Sequence, residues 1–352
     1  MSVWRAAGST VPIVYAVQEL DLSFQNEVVS CARLAPRLLH LTTLSTLSLS
    51  CQKIHPHDAP MLAAALASCT GLRQLSFFVK QEDDGMNRFK PLDLAVDDWE
   101  FRFGNESAET ILKALPALSK LTHLHLSREL GGRELPDVLT KLPELRHLHL
   151  DDLNAWGSTK HDAAMGTAIG TLRHLQHLSA ADNFLTETEL EPLLATLPTS
   201  LTYLNLEKNR MPEDFPRLSQ LKRLRVLNLH FCGVPDAVAQ RFTALTALEQ
   251  LSADDADMSP EATEAVLAAL PACITHVEIM GSHFPKTAAP SLAAFTALKV
   301  RRLASCLRVC AVHRHHCVAT LAGPAQPLLA SQAPACPCAV LVCSVCPQEP
   351  VW

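Results

Sequence analysis

Four histidines occupy two copies of a His-Leu-His-Leu segment, with His123 and His125 in LTHLHLS and His147 and His149 in LRHLHLD. Imidazole is the side chain that most often ligates zinc or copper, and its charge changes close to neutral pH. Two such regular pairs could hold a metal ion, form a pH-sensitive binding surface, or lie on an ordinary polar contact surface. The choice depends on the elements that position them.

A longer repeat accounts for the spacing of these segments. The pattern Leu-x-x-Leu-x-Leu recurs in steps of 23 to 30 residues, and the two histidine segments stand one step of 24 residues apart. The copies begin at Val17, Leu44, Leu72, Val96, Leu121, Leu145, Leu175, Leu201, Leu224, Leu248 and Ile274, and the copy Val96-Trp99-Phe101 is the weakest. Alternate residues of a strand face opposite sides, so each copy predicts a strand with its leucines on the buried face.

Over about residues 14–299 the chain resembles the leucine-rich repeat family. The eleven-residue consensus of that family, with Asn at its ninth position, is met best by LQHLSAADNFL at 175–185 and LTYLNLEKNRM at 201–211. Cys232 replaces the Asn in LRVLNLHFCGV, and Gln52, Ala256 and Ser282 depart from it. The resemblance implies an α/β leucine-rich repeat solenoid, a horseshoe of the ribonuclease-inhibitor-like kind with a parallel concave sheet and a helical convex side.

The second half of each repeat is predicted to be a helix. Apolar residues recur at three-and-four spacing in segments 58–69, 106–118, 186–198 and 259–273. Ser259 followed by Pro260 is a favoured helix start. Segments 79–95 and 151–166 interrupt the rhythm; the first is predicted as a loop, and the second lengthens one repeat to 30 residues. Trp156 in the second segment is predicted to pack back onto a neighbouring helix rather than to be exposed as a contact residue.

The residues between the strand leucines should line the concave face. Strands lie about 4.8 Å apart, which predicts a near-square of exposed imidazoles at the two histidine segments, with His177 beside His147. An open sheet face rarely supplies the remaining ligands that a metal needs, so we predict a protein-contact surface and no metal. The predicted partner-binding residues are His123, His125, His147, His149, Asp151, His177, Tyr203, Asn205, Glu207, Asn228 and His230.

Motifs for enzymatic chemistry are missing from the sequence. It contains no GxxxxGK, GxSxG or HExxH segment, and the acidic pairs Asp97-Asp98 and Asp254-Asp255 are interpreted as solubilising charges. We therefore predict no enzyme and no cofactor. The net charge of −6 argues against nucleic acid, and the sequence offers neither a membrane span nor a signal peptide, so we expect a cytoplasmic monomer.

Composition changes near residue 300. Residues 300–352 hold seven of the twelve cysteines and a single acidic residue, Glu349, while Arg301 stands where the repeat needs Leu. The CxC…CxxC set from Cys336 to Cys346 could bind zinc, but its intervals are short, and disorder or a misread reading frame is the favoured interpretation. The predicted organisation is therefore a lead-in at 1–13, a solenoid of about eleven repeats at 14–299 and a tail at 300–352.

The function predicted from these features is a non-catalytic protein–protein interaction scaffold that binds a partner protein, not yet identifiable, in its concave face. Two alternatives remain open. One is a regulatory or activator subunit of a GTPase or a ubiquitin ligase, and the other is a metal-binding protein that uses His or Cys.

Overall fold

The computed structural model describes residues 17–22, 31–41, 43–51, 56–79, 106–126, 130–153, 156, 159–279 and 300–303. The chain divides into two compact units. The first contains Met1–His149 with Leu153–Ala155, and the second contains Leu150–Asp152 with Trp156–Trp352. Strands and helices alternate within each unit, as the repeat predicts.

The first unit carries parallel strands that follow one another in chain order. Thr46 pairs with Glu19, Gln74 with Thr46, and the following strands continue the same register. Its elements are β1 (Glu19–Leu22), α1 (Cys31–Leu38), β2 (Thr46–Cys51), α2 (Ala59–Ser68), β3 (Gln74–Val79), α3 (Glu106–Leu112), β4 (His123–Leu126), α4 (Leu135–Thr140) and β5 (His147–His149).

The second unit repeats this arrangement, again with every described pair of strands parallel. Its elements are α5 (Thr159–Thr171), β6 (His177–Ser179), α6 (Glu187–Thr196), β7 (Tyr203–Asn205), β8 (Val226–Asn228), α7 (Asp236–Gln240), β9 (Gln250–Ser252), α8 (Pro260–Ala269), β10 (His276–Ile279) and β11 (Val300–Leu303). Pro216–Gln220 forms a 3₁₀ turn between β7 and β8.

The repeated leucines form the core of both units. Leu124 and Leu148 in the first unit, and Leu178, Leu204 and Leu227 in the second, are all buried. Where their side chains are described, the intervening strand residues are at least partly exposed, apart from Ser50 and Ser179. Because one repeat cannot bury its apolar face alone, the stack of repeats supplies the hydrophobic stabilisation.

Side chains at the ninth repeat position connect neighbouring repeats, and we call Asn183, Asn209 and Cys232 the asparagine ladder. Asn209, only 2% exposed, donates to Ala180 O and Leu206 O at 2.8 Å and accepts from Leu185 N at 3.1 Å. The Cys232 thiol takes over this role by donating to Leu206 O at 3.0 Å. Cys232, which stands where the consensus has Asn, thus still bonds to the backbone of the preceding repeat.

The helix start predicted at Ser259 is confirmed, whereas Asp58 at the start of α2 makes no side-chain capping bond. The Ser259 hydroxyl accepts from Ala262 N at 2.9 Å, with Pro260 as the first residue of α8. Thr186 and Glu189 form a capping box at the start of α6. Such caps satisfy amide groups that have no partner inside the helix.

One predicted strand was placed wrongly. The weak copy Val96-Trp99-Phe101 lies outside the described residues, but β3 pairs directly with β4 through Gln74 and His123. No strand can lie between two strands that are hydrogen-bonded to each other. The strand position predicted for Val96-Trp99-Phe101 is therefore incorrect.

Two further sequence predictions can be compared with the structure, and a third lies outside the described residues. Trp156 is 4% exposed, which confirms that it is not a surface contact residue. Strand β11 lies just beyond the predicted boundary at 299 and puts Arg301 in register with the buried Val277. The cysteine-rich segment from Cys306 onward lies outside the described residues.

Candidate functional site

The four histidines of β4 and β5 form what we call the histidine patch. Each alternates with a buried leucine, so its ring is forced onto the outward face of the sheet. His123 stacks on His147 with ring centroids 4.0 Å apart and planes 8° from parallel. His125 stacks on His149 at 5.1 Å and 30°. The predicted lateral pairs are present, but the rings are half-buried rather than fully exposed.

The environment of His123 favours its neutral form. Burial lowers the pKa of His123, and the nearby charges of His149 and Arg146 lower it further. The Thr122 hydroxyl lies 2.9 Å from His123 Nδ1 and holds the ring in place. His123 therefore loses its proton more readily than an ordinary histidine, and it stacks on His147 as a neutral ring at neutral pH.

The remaining predicted residues lie in the second unit, and we call Asp151, His177, Tyr203, Asn205, Glu207, Asn228 and His230 the ladder face. His177 and Tyr203 stack with centroids 5.4 Å apart. Burial raises the pKa of Tyr203, and the carboxylates of Asp151 and Glu207 raise it further. The phenol therefore remains a hydrogen-bond donor at neutral pH.

Several polar groups of the ladder face are already bonded within the protein. Asp151 Oδ1 accepts from Ser179 Oγ at 2.5 Å and from Ala181 N at 2.8 Å. Asn228 Nδ2 donates to Glu207 Oε2 at 3.1 Å, and Asn228 Oδ1 accepts from His230 N at 3.0 Å. These bonds hold the side chains in one arrangement. The entropy cost of ordering them when a partner binds is therefore smaller.

Asp254 corrects the interpretation of its acidic pair. Its side chain is not a solubilising charge, because it is 3% exposed and its Oδ2 lies 3.5 Å from His230 Nε2. The His230 ring also lies 3.0 Å from the Asp254 carbonyl through Nδ1. Asp254 therefore orients His230, whereas Asp255 is exposed as predicted.

Two exposed phenylalanines were missed by the sequence analysis. Phe184 is 61% exposed and Phe231 is 51% exposed, and they occupy loops that follow β6 and β8. Both have left-handed backbones, with φ of 51° and 53°, a region that disfavours bulky residues. Phe231 also stacks on His230 at 5.3 Å. Their positions, tenth and eighth in the repeat, are the sequence signal that could have identified them.

Metal and membrane functions find no support in the described part of the chain. Within those residues no group of three or more His, Cys, Asp or Glu is arranged to hold a metal ion. None of the helices described there has the length and apolar composition needed to cross a membrane. The candidate site is thus a polar and aromatic surface.

Comparison with known proteins gives no family assignment. No family model matches the chain, and no curated protein shows significant similarity to it. A solved structure of a leucine-rich repeat protein from Leptospira interrogans has 18% sequence identity and a TM-score of 0.48, and covers 82% of this chain. The chain spans 66% of the length of that protein. The repeat spacing, the parallel register and the asparagine ladder show directly that this chain has the α/β leucine-rich repeat solenoid fold.

Proposed function

We propose that this protein is a non-catalytic scaffold that binds a partner protein through the ladder face and the loops that follow it. The observation that carries the proposal is the exposure of Phe184 and Phe231. Aromatic side chains are enriched among the residues that dominate protein interfaces, because they bury a large area with few rotatable bonds. Their left-handed backbones cost folding free energy, and side chains that remain more than half exposed offset only part of that cost by packing.

The partner surface proposed here is apolar with basic residues on either side. Carboxylates predominate on the ladder face and its loops. Two basic side chains described there, Lys208 and Arg210, each form an ion pair. Lys208 Nζ lies 2.6 Å from Asp182 Oδ1, and Arg210 Nε lies 2.9 Å from Glu187 Oε1. The carboxylates there that are at least partly exposed are Asp151, Asp152, Asp182, Glu207, Asp255, Asp257 and Glu278. A basic partner segment would associate faster and with the correct orientation.

The eleven residues predicted from the sequence are part of this proposal. The ladder face supplies aromatic and amide groups that are held in one conformation, which suits specific recognition. The histidine patch of the first unit supplies stacked imidazole rings, which suit contact with apolar or hydrogen-bonding groups. The proposed contact residues remain His123, His125, His147, His149, Asp151, His177, Tyr203, Asn205, Glu207, Asn228 and His230.

A photo-crosslinking amino acid placed at Phe231 would identify the partner, and affinity would then be measured with the purified pair. The double variant F184A/F231A should bind about tenfold or more weakly, because interface aromatics often carry most of the binding free energy. The matched control is L39A/M61A, which removes two exposed apolar side chains from the first unit. Equal affinity of the wild type and F184A/F231A would refute the assignment of the loops.

The histidine patch has its own test with the same partner. H125A/H149A should leave the fold intact, since these rings are half-buried on the surface, and should weaken binding. If H125A/H149A binds the partner with unchanged affinity while F184A/F231A binds more weakly, the interface is restricted to the second unit. Unchanged affinity of both double variants would refute the whole proposed surface.

A further inference from the structure

A cleft in the second unit concentrates positive charge. Four basic side chains, Arg173, Arg217, Lys222 and Arg223, line an open cavity of about 610 Å³, and we call this cavity the basic pocket. The other lining residues are Gly170, Pro198, Thr199, Ser200 and Gln220, so no carboxylate from the described part of the chain lines it. The chain as a whole is acidic, with a net charge of −6, which makes this concentration of cations a local feature.

The repeat explains how these residues come together. Arg173 precedes β6, Thr199 and Ser200 precede β7, and Lys222 and Arg223 precede β8. Because β6, β7 and β8 are parallel neighbours, the turns that precede them meet at one edge of the sheet. Phe184 and Phe231 follow their strands and so lie at the opposite edge. The basic pocket is therefore distinct from the proposed protein-contact surface.

Other basic side chains in the same unit have carboxylate partners. Arg225 donates to both oxygens of Glu249 at 2.8 and 2.7 Å, and Arg241 donates to both oxygens of Asp214 at 2.6 and 2.5 Å. Within the described residues, none of the four pocket cations forms an ion pair. A bound anion would offset their mutual repulsion.

Two of the pocket cations are held in position by neutral acceptors. Arg217 Nε donates to the Leu197 carbonyl at 2.9 Å, and its Nη1 donates to Gln220 Oε1 at 2.7 Å. Lys222 Nζ lies 3.3 Å from the Ala244 carbonyl. These contacts orient the side chains without neutralising them, and the guanidinium fork matches phosphate oxygens well.

We propose that the basic pocket binds a small molecule that carries two or more phosphate groups. Small-molecule pockets usually measure about 300–1,000 Å³, so one orthophosphate ion would leave most of this cavity unfilled. Four cations around one cleft match the charge of a polyphosphate rather than that of a single carboxylate. Thr199 also lines the pocket, and a threonine hydroxyl can donate a hydrogen bond to a phosphate oxygen.

The test is calorimetric titration of the full-length protein with tripolyphosphate, orthophosphate and citrate. Tripolyphosphate should bind saturably at one site, more tightly than the other two anions. R173Q/R223Q should weaken tripolyphosphate binding about tenfold or more, because two charge-assisted contacts are lost. Both residues are exposed, so the fold should persist, and circular dichroism checks this.

The matched control is K120Q/K141Q, which removes two exposed cations from the first unit. It should change affinity less than twofold. Arginines after residue 300 are identical in all three proteins, so their contribution cancels in the comparison. Absence of saturable binding to the wild type, or equal weakening in the two double variants, would overturn the proposal. Equally tight citrate binding would overturn the preference for phosphate.

Discussion

The histidine patch and the asparagine ladder both place repeated polar residues on consecutive repeats, but they use them in opposite ways. The imidazoles of the patch lie on the outward face, where they stack on one another and remain half-exposed. The amides of the ladder lie inside the turns and bond to backbone groups of the neighbouring repeat. Repetition alone therefore does not indicate function; the face of the repeat decides whether a polar side chain stabilises the fold or remains available.

The largest contrast is expected in thiol chemistry. Burial raises the pKa of Cys232 from its ordinary value near 9 to about 12. This leaves about a thousandfold less thiolate, the reactive form, at pH 8. Iodoacetamide labelling followed by peptide mass spectrometry should modify exposed Cys273 far faster than Cys232. Comparable rates in the folded protein would show that the ladder position is open to solvent.

Asn209→Ala should lower the free energy of unfolding by about 3 kcal/mol, more than the other substitutions proposed, because it removes hydrogen bonds from several buried backbone groups. Urea unfolding measures the loss. Asn205→Ala is the matched control, since that amide is half-buried on the surface and its Oδ1 accepts from Glu207 N at 3.1 Å. The control should cost less than about 1 kcal/mol. Equal losses would remove the distinction between ladder and surface.

Asp151→Ala should destabilise the protein by about 1–2 kcal/mol, because Ser179 Oγ and Ala181 N both lose their acceptor in a buried setting. Asp151 belongs to the ladder face yet bonds to buried groups, so an outward-facing polar residue can also stabilise the fold. Ser179→Ala removes only one of the two donors and should cost less than Asp151→Ala. A larger effect of Ser179→Ala would contradict the role assigned to the carboxylate.

The double variant H123A/H147A should lose less than about 1 kcal/mol, because the stacked rings are half-exposed and contribute only a weak pairwise interaction. Thermal or urea unfolding measures this against wild type. A loss as large as that of Asn209→Ala would mean that the histidine patch is structural and would weaken its proposed role in binding.

The smallest expected effect is a pH dependence from His123. Burial, followed by the charges of His149 and Arg146, lowers the pKa of His123 in the folded state. The unfolded chain then binds more protons, so stability should fall as pH drops below about 6.5 toward the lowered folded-state value. Unfolding measured at pH 7.5 and 5.5 should show a smaller fall for His123→Gln than for wild type. An equal fall in His123→Gln and wild type would contradict the assignment of this pH dependence to His123.

The sequence was sufficient for the repeat, the inward leucines and the pairing of the histidines. A 23–30-residue period with Leu at alternate strand positions has one compact solution, because each repeat must bury its apolar face on the next. The helix starts at Thr186 and Ser259 were equally local, since a cap bonds within its own first turn.

Predictions failed where the answer depended on contacts between repeats. The weak copy at Val96 satisfied the local pattern, but strand pairing between β3 and β4 bypassed it. The exposed side chains of Phe184 and Phe231 and the burial of Asp254 were likewise set by neighbouring turns. A hydrophobic pattern identifies what must be buried, but it does not identify which loop side chains the neighbouring repeat leaves uncovered.

By itself the sequence determined the solenoid, because its period and its alternation leave each residue type only one face on which to lie. Only the tertiary structure decided which polar residues are available for binding. The ladder amides, Asp151 and Asp254 form internal contacts, while the phenylalanines remain exposed and the pocket cations have no ion-pair partner among the described residues. The physical reason is that hydrogen-bond partners and exposure come from residues one repeat away, more than twenty positions along the chain.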